Sequence, residues 1–367
     1  MAGASLDVPV SSRNGARVSI TIAVLLALGI GSYFWVDSRY PSLLKKHSGT
    51  SIKTSGVLSF DAKMPVSADM PLAARIERTS VNWMWTNRVG MTFGLFFGAA
   101  LLTLLPMLPR RRFQSAAANT ALGVVSGVPL GVCANCVAPI GQSLFQGGAS
   151  EATVIATMIS SPMLNVVVLT TVFALFPPGV AVLRLIVPLL LVAMVPWLTR
   201  SEQSLSGAVC EMKSDGWLIP ASDTFRLYLK NLARLAATTI PFMILAALLG
   251  AIVAEMVPAR VIPGHVTLLG IVLVALAGTF LPVPMAFEVA AAFILMARGV
   301  PLPYVVTLLC TLGAFSIYSV LIVGPAMSWR TAARVFGGRD GDGHSGWRGD
   351  GSVPTHTLVW APSRSVG

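Results

Sequence analysis

Two thiols separated by two residues, Cys133 and Cys136, mark the place where chemistry is densest. They lie in the run Gly131-Val132-Cys133-Ala134-Asn135-Cys136-Val137-Ala138-Pro139, which adds a side-chain amide and a proline. Cysteines at this spacing can hold a soft ion or close a disulfide. They also serve as small buried apolar residues. No histidine lies near them, so a tetrahedral zinc site is not expected, and neither a metal nor a cofactor is called for. A second cluster, Ser160-Ser161-Pro162-Met163-Leu164-Asn165, interrupts an apolar run. Pro162 frees a carbonyl one turn upstream, and Ser161 and Asn165 can either meet a substrate or satisfy that kink locally. The third candidate is Glu288, the one acid well inside the apolar run of the second half. An intramembrane carboxylate is a functional candidate, here a protonatable coupling group. Lying just after Pro284, it could equally open a half-helix and complement the dipole there. Gln142 and Arg184 are weaker candidates, and Arg184 is expected to snorkel to an interface.

The elements that must position these residues are membrane spans. Of 367 residues 54% are hydrophobic and 11% charged, against about 25% charged in soluble domains. The formal net charge of +11 comes from Lys and Arg at the ends of apolar runs, as the positive-inside rule expects. No basic stripe interleaved with aromatics is present, so nucleic acid is excluded as a partner; the partners expected are the lipid bilayer and a small solute. Cys210 and Cys310 stand alone, and four cysteines so placed are no disulfide scaffold.

A span needs about 20 apolar residues. Residues 18–36 form the first, read as an uncleaved anchor because an Ala-x-Ala-like cleavage site is missing. Residues 37–88 read as a polar extramembrane loop. Residues 89–108 span and end at Arg110, Arg111 and Arg112. Residues 113–150 carry no charge but hold Gly127, Pro129, Gly131 and Pro139, which interrupt a helix. Residues 152–176 span with a break at Pro162, and 179–198 span again. After a polar loop at 199–224, an amphipathic entry at 225–234 leads into a span at 235–257. Residues 266–297 are apolar but broken at Pro282 and Pro284, and 302–327 span. The tail from Ser328 is Gly-rich and hydrophilic, with the composition of a disordered segment.

Shifting the chain by 151 positions superposes the two halves without a gap. Residues 89–108 fall on 240–259, Gly127 on Gly278, Leu130 on Leu281, Val132 on Val283, Gly148 on Gly299 and Val154 on Val305. If each broken segment enters and leaves on one side, both N-terminal arginines, Arg110–Arg112 and the basic residues of 200–230 share the cytoplasmic face. The halves are then inverted, a transporter arrangement with its site between broken helices. The fold class expected is therefore an all-α integral membrane protein. It has about six full spans plus two re-entrant hairpins, permease halves at 89–198 and 225–327, and a cytoplasmic N-terminus in a bacterial inner membrane.

The stretch CANCVAPIGQSLFQGGASEATVIATMISSPMLNVVVL resembles the predicted-permease family that includes the organoarsenical efflux permeases. The shared pattern is a Cys-bearing tip, Pro139, the turn Gly148-Ala149 and the break Ser161-Pro162-Met163-Leu164-Asn165, with a second copy at Pro284, Gly299 and Ser316. The resemblance covers about residues 89–327 and implies efflux of small molecules, trivalent organoarsenicals being the characterised case. This chain has Cys-x-x-Cys where the pattern has Cys-x-Cys, and no cysteine at the second tip. Three readings follow. In a permease, Cys133, Asn135, Cys136, Pro139, Ser161, Pro162 and Asn165 bind substrate, with Glu288 opposite for coupling. In a membrane thiol oxidoreductase, Cys133 and Cys136 exchange. In an assembly factor, the breaks are structural only.

Overall fold

The computed structural model describes residues 10–47, 63–67, 69–108, 113, 115–199, 221–256, 266–281, 283, 287–314 and 319, and its regular elements are helices. Helix α1 (Val10–Phe34) passes through a π-helical turn at Trp35–Arg39 into α2 (Tyr40–His47). Helix α3 covers Leu72–Leu104, so residues 72–88, the last third of the expected 37–88 loop, are helical and continuous with the span. Helices α4 (Ala116–Leu130), α5 (Ala134–Gln146), α6 (Glu151–Met163), α7 (Val166–Leu175) and α8 (Pro178–Leu198) complete the first half. The second half holds α9 (Ala221–Met256), α10 (Leu268–Phe280), α11 (Phe287–Ala297) and α12 (Leu302–Thr311). The amphipathic entry and the span expected at 225–257 are one helix, α9.

Among the described residues five segments are long and apolar enough to cross a membrane: Arg17–Leu44, Leu72–Met107, Glu151–Leu175, Pro178–Leu198 and Asp223–Ile252. They match the first five expected spans. Of the sixth, α12, a bend at Leu312–Ala314 with Gly313 at φ 85°, and Ser319 are described. Arg110–Arg112, Lys213, Pro282, Pro284, Ser316 and the tail lie outside the described residues.

Where the chain breaks is decided by side-chain caps more than by proline. Helix α4 runs through Gly127 and Pro129, and α5 through Pro139. The break falls at Gly131–Cys133, where Gly131 takes φ 56° and the Cys133 sulfur accepts the Cys136 N–H to start α5. Likewise α6 continues through Pro162. It stops at Leu164, and Asn165 opens α7 by accepting the Val167 N–H at 2.9 Å. Such a cap contributes about 1 kcal/mol.

The helix directions follow from side-chain partners. Thr153 and Thr157 donate to the carbonyls of Asn119 and Gly123 at 3.0 and 3.1 Å, so α4 and α6 run parallel. Helix α5 returns antiparallel to α6 through the turn at Gly147–Ser150, with Gly141 against Met158. The chain therefore turns back on itself at Gly131–Cys133. In the second half the Thr267 N–H donates to the Tyr304 hydroxyl at 3.0 Å and Gly278 packs on Thr311, so α10 and α12 are parallel too. Helices α3 and α9 are antiparallel: Asn231 donates to the Thr103 hydroxyl at 3.0 Å near one end, and Glu255 pairs with Arg75 and Thr79 near the other.

Candidate functional site

The tip between α4 and α5 is held from three directions. Helix α3 offers it Gly90, Gly94 and Gly98; a Cβ at Gly90 would sit 2.6 Å from the Cys136 sulfur, and one at Gly94 would meet the Cys136 carbonyl. Only this stripe lets α5 lie so close, as small residues do in membrane helix pairs. From Gly90–Gly94 to the end of α3 is about 15–20 Å at 1.5 Å per residue, inside a hydrocarbon core of about 30 Å. Irregular backbone at that depth is tolerated where protein surrounds it or water lines it.

Cys133, Asn135, Cys136, Pro139, Ser161, Pro162, Asn165, Arg184 and Glu288 are buried, whereas Gln142 is half-buried. Cys133 and Cys136 are bonded as a disulfide, with Cα atoms 5.2 Å apart, and the Cys133 sulfur lies 3.8 Å from the amide oxygen of Asn87. The Val132 N–H donates to the Ser161 hydroxyl at 3.3 Å, tying the tip to the end of α6. Asn135, with no exposed surface, donates to the carbonyl of Val283 at 3.1 Å. Ser319 donates to the carbonyl of Ala134 at 2.8 Å. Two second-half residues thus contact the first tip, and Val283 is the one on which Val132 falls after the 151-residue shift. Pro139 packs beside Gly94, and its carbonyl accepts the Ser143 hydroxyl at 2.8 Å. Pro162 is buried within α6, and Asn165 is 1% exposed.

Glu288 stands in the first turn of α11, where the helix dipole favours its charge. Its carboxylate is 3.5–3.7 Å from where a Cβ on Gly313 would lie. Its charge acts on Arg184, and Cys310 lies within reach of the same guanidinium. Arg184 corrects an expectation: it does not snorkel to an interface but is 1% exposed. Its Nη1 donates to the Met163 carbonyl at 3.2 Å. The break at Asn165 explains this, because Val167 turns to the Asn165 side chain and leaves the Met163 carbonyl for another donor. Arg184 is thus hydrogen-bonded at the α6–α7 break and lies within electrostatic range of Glu288. Glu288 belongs to that end of the site, with no described contact to the two sulfurs.

Sequence reasoning passed over Arg39, Asn87 and Ser319. Arg39 closes the π-turn and is 6% exposed, with its Nε 3.7 Å from the point where a Cβ on Gly131 would lie; the Asn165 amide is equally near that point. Trp35, on the same turn, donates to the Pro129 carbonyl at 2.7 Å. Arg39 follows the first apolar run and reads as a flanking charge; Asn87 sits in polar sequence. Only the π-helical extension and the early start of α3 bring them to the tip.

Among the described residues no group of three or more His, Cys, Asp or Glu could hold a metal ion. The arrangement offers buried amides, hydroxyls, two sulfurs and an arginine within electrostatic range of a glutamate, at or beside breaks between helices. No solved structure matches the chain. It is 26% identical over 254 residues to the UPF0718 protein YraQ of Escherichia coli (strain K12), a match that covers 66% of this chain and 72% of that protein. Residues 94–337, which carry both broken segments, Arg184 and Glu288, match the family described as predicted permease, and the chain belongs to that family.

Proposed function

We propose that this protein is a secondary transporter that moves a small solute through a site between the two broken-helix tips, its halves forming an inverted repeat. The observation that carries this reading is the contact between halves at the first tip, Asn135 on the Val283 carbonyl. Three further features support it. Shifted by 151 positions, α3 falls on residues 223–255 within α9, yet the two helices run antiparallel. Helices α6 and α12 begin at matching places, Glu151 and Leu302, each after a turn whose glycine has positive φ, Gly148 at 93° and Gly299 at 78°. Gly127 and Gly278, equivalent by that shift, pack on Ser160 and Thr311, which are equivalent too. In this reading α4 and α5 form a re-entrant hairpin on the cytoplasmic side, and the membrane is the bacterial inner membrane.

The direction is export. Once a cytosolic dithiol has reduced the disulfide by exchange, itself becoming a disulfide, Cys133 and Cys136 can take a trivalent organoarsenical: two S–H groups replace two As–OH groups, forming two As–S bonds and releasing two waters. Glu288, charged beside Arg184, is the coupling group; its protonation would loosen the link between α11 and the α6–α7 break.

The test is flux into inside-out vesicles carrying the full chain, with phenylarsenite under an imposed proton gradient. Accumulation that requires Cys133 and Cys136, and stops on Glu288→Gln, supports the reading. Absence of any gradient-driven flux over a panel of metalloids and small organic solutes would sink it. The disulfide itself favours a second reading, a membrane thiol oxidoreductase. Trapping a mixed disulfide on Cys133 in the Cys136→Ser variant would favour that chemistry. Full activity of Cys136→Ser would remove it.

A further inference from the structure

We propose that Arg39 is an anion-binding residue of this site and that a small organic anion is also taken there. The inference rests on the reading of the tip as a substrate site and adds a second solute class to it, an anion held by Arg39, beside the uncharged organoarsenical held by the thiols. Arg39 is 94% buried, since only 6% of it is exposed, within a segment long and apolar enough to span. Its Nε is buried without a hydrogen-bond partner, and its guanidinium stacks over Phe34 at 4.5 Å. Among the described residues it forms no ion pair. A buried charge in that state costs several kcal/mol. The C-terminal dipole of α4 offsets part of this, but Trp35 already occupies the Pro129 carbonyl there.

What surrounds Arg39 suits an anion. The Arg39 Nε and both ends of the Asn165 side-chain amide lie 3.7 Å from the point where a Cβ on Gly131 would sit, so the missing side chain keeps a methyl-sized space between them. Helices α5 and α7 both begin at this level, at Ala134 and Val166, and their positive ends favour negative charge. Phe34 and Phe93, stacked with centroids 3.9 Å apart, supply an apolar wall beside the cation. A carboxylate or phosphonate on a short apolar body satisfies both. Because Arg39 precedes residues 94–337 of the family match, this selectivity belongs to the N-terminal helix of this chain. The π-helical turn that aims Arg39 is a feature often found at functional sites.

The experiment uses the purified full chain in detergent, with phenylphosphonate as the probe at ionic strength held constant with chloride. Phenylphosphonate is expected to raise the melting temperature saturably. Arg39→Gln should weaken its apparent affinity at least about tenfold, as expected for loss of a charge-assisted hydrogen bond. An Arg39→Gln protein that answers phenylphosphonate like the unsubstituted chain overturns the proposal. So does an unsubstituted chain that does not answer at all, which would leave Arg39 as a buried cation beside Phe34 with no ligand. Should Arg39→Gln not fold, Arg39→Met keeps an apolar stem of similar length without the charge, and unchanged affinity in it overturns the proposal. Phenylphosphonate binding with no solute flux would uphold the anion site and remove the permease reading alone. Flux of phenylarsenite indifferent to Arg39→Gln, with no phenylphosphonate binding, would do the reverse.

Discussion

At the scale of residues, the site is a set of buried polar groups whose partners come from other helices. Arg184 and Glu288 illustrate the consequence. Removing one member of a buried charge pair leaves the other uncompensated, at a cost of about 3–5 kcal/mol, whereas removing both can be far milder. Arg184→Ala is therefore expected to lower the melting temperature more than the double variant Arg184→Ala/Glu288→Gln, and a thermal double-mutant cycle measures the difference. Equal and additive losses would mean that the two groups do not interact. Ser161 has a smaller role, holding the Val132 N–H. Ser161→Ala should cost about 1–3 kcal/mol, the penalty of a buried donor left unmade, read as loss of stability with the helices intact. Cys133, Asn135, Cys136, Pro139, Ser161, Pro162, Asn165 and Glu288 were legible because each is a polar residue, thiol or proline where apolar sequence surrounds it. Arg39 and Asn87 were not, since a charge or amide at the edge of an apolar run looks like ordinary flanking sequence.

At the scale of elements, close approach depends on glycines whose role is invisible until the partner helix is known. Gly94 faces the Cys136 carbonyl directly. Gly94→Leu should push α5 away from α3 and destabilise by about 1–3 kcal/mol or more, the range for overpacking. It should also expose the tip, read as faster labelling of reduced Cys136 by a membrane-permeant maleimide. Unchanged stability and labelling would show that α3 does not set the position of the tip. The breaks follow a similar rule. Proline was the sequence signal at 129, 139 and 162, yet helices pass through all three, because loss of one N–H in a short, packed helix is tolerated when neighbours satisfy the freed carbonyl. The chain breaks where a side chain caps the next helix, at Cys133 and Asn165.

At the scale of the whole molecule, two halves of like sequence face each other through α3 and α9. Thr103 beside Asn231 places the start of α9 near the end of α3. The basic stretches at 110–112 and 200–220 are then expected on one face. Single cysteines introduced at Arg111 and Lys213 should be labelled by an impermeant maleimide from the same side of sealed vesicles; labelling from opposite sides would exclude the re-entrant hairpin. The amino-acid sequence by itself determined the membrane class and the places of five apolar segments that form helices long enough to cross a membrane. Both follow from a local property, runs of apolar residues. Tertiary structure alone decided that α3 and α9 are antiparallel and that Asn135 reaches the second half. It alone brought Arg39 to the tip and Arg184 to Glu288. Burial of a charge and choice of a hydrogen-bond partner depend on which helix packs alongside, and no stretch of one helix carries that information.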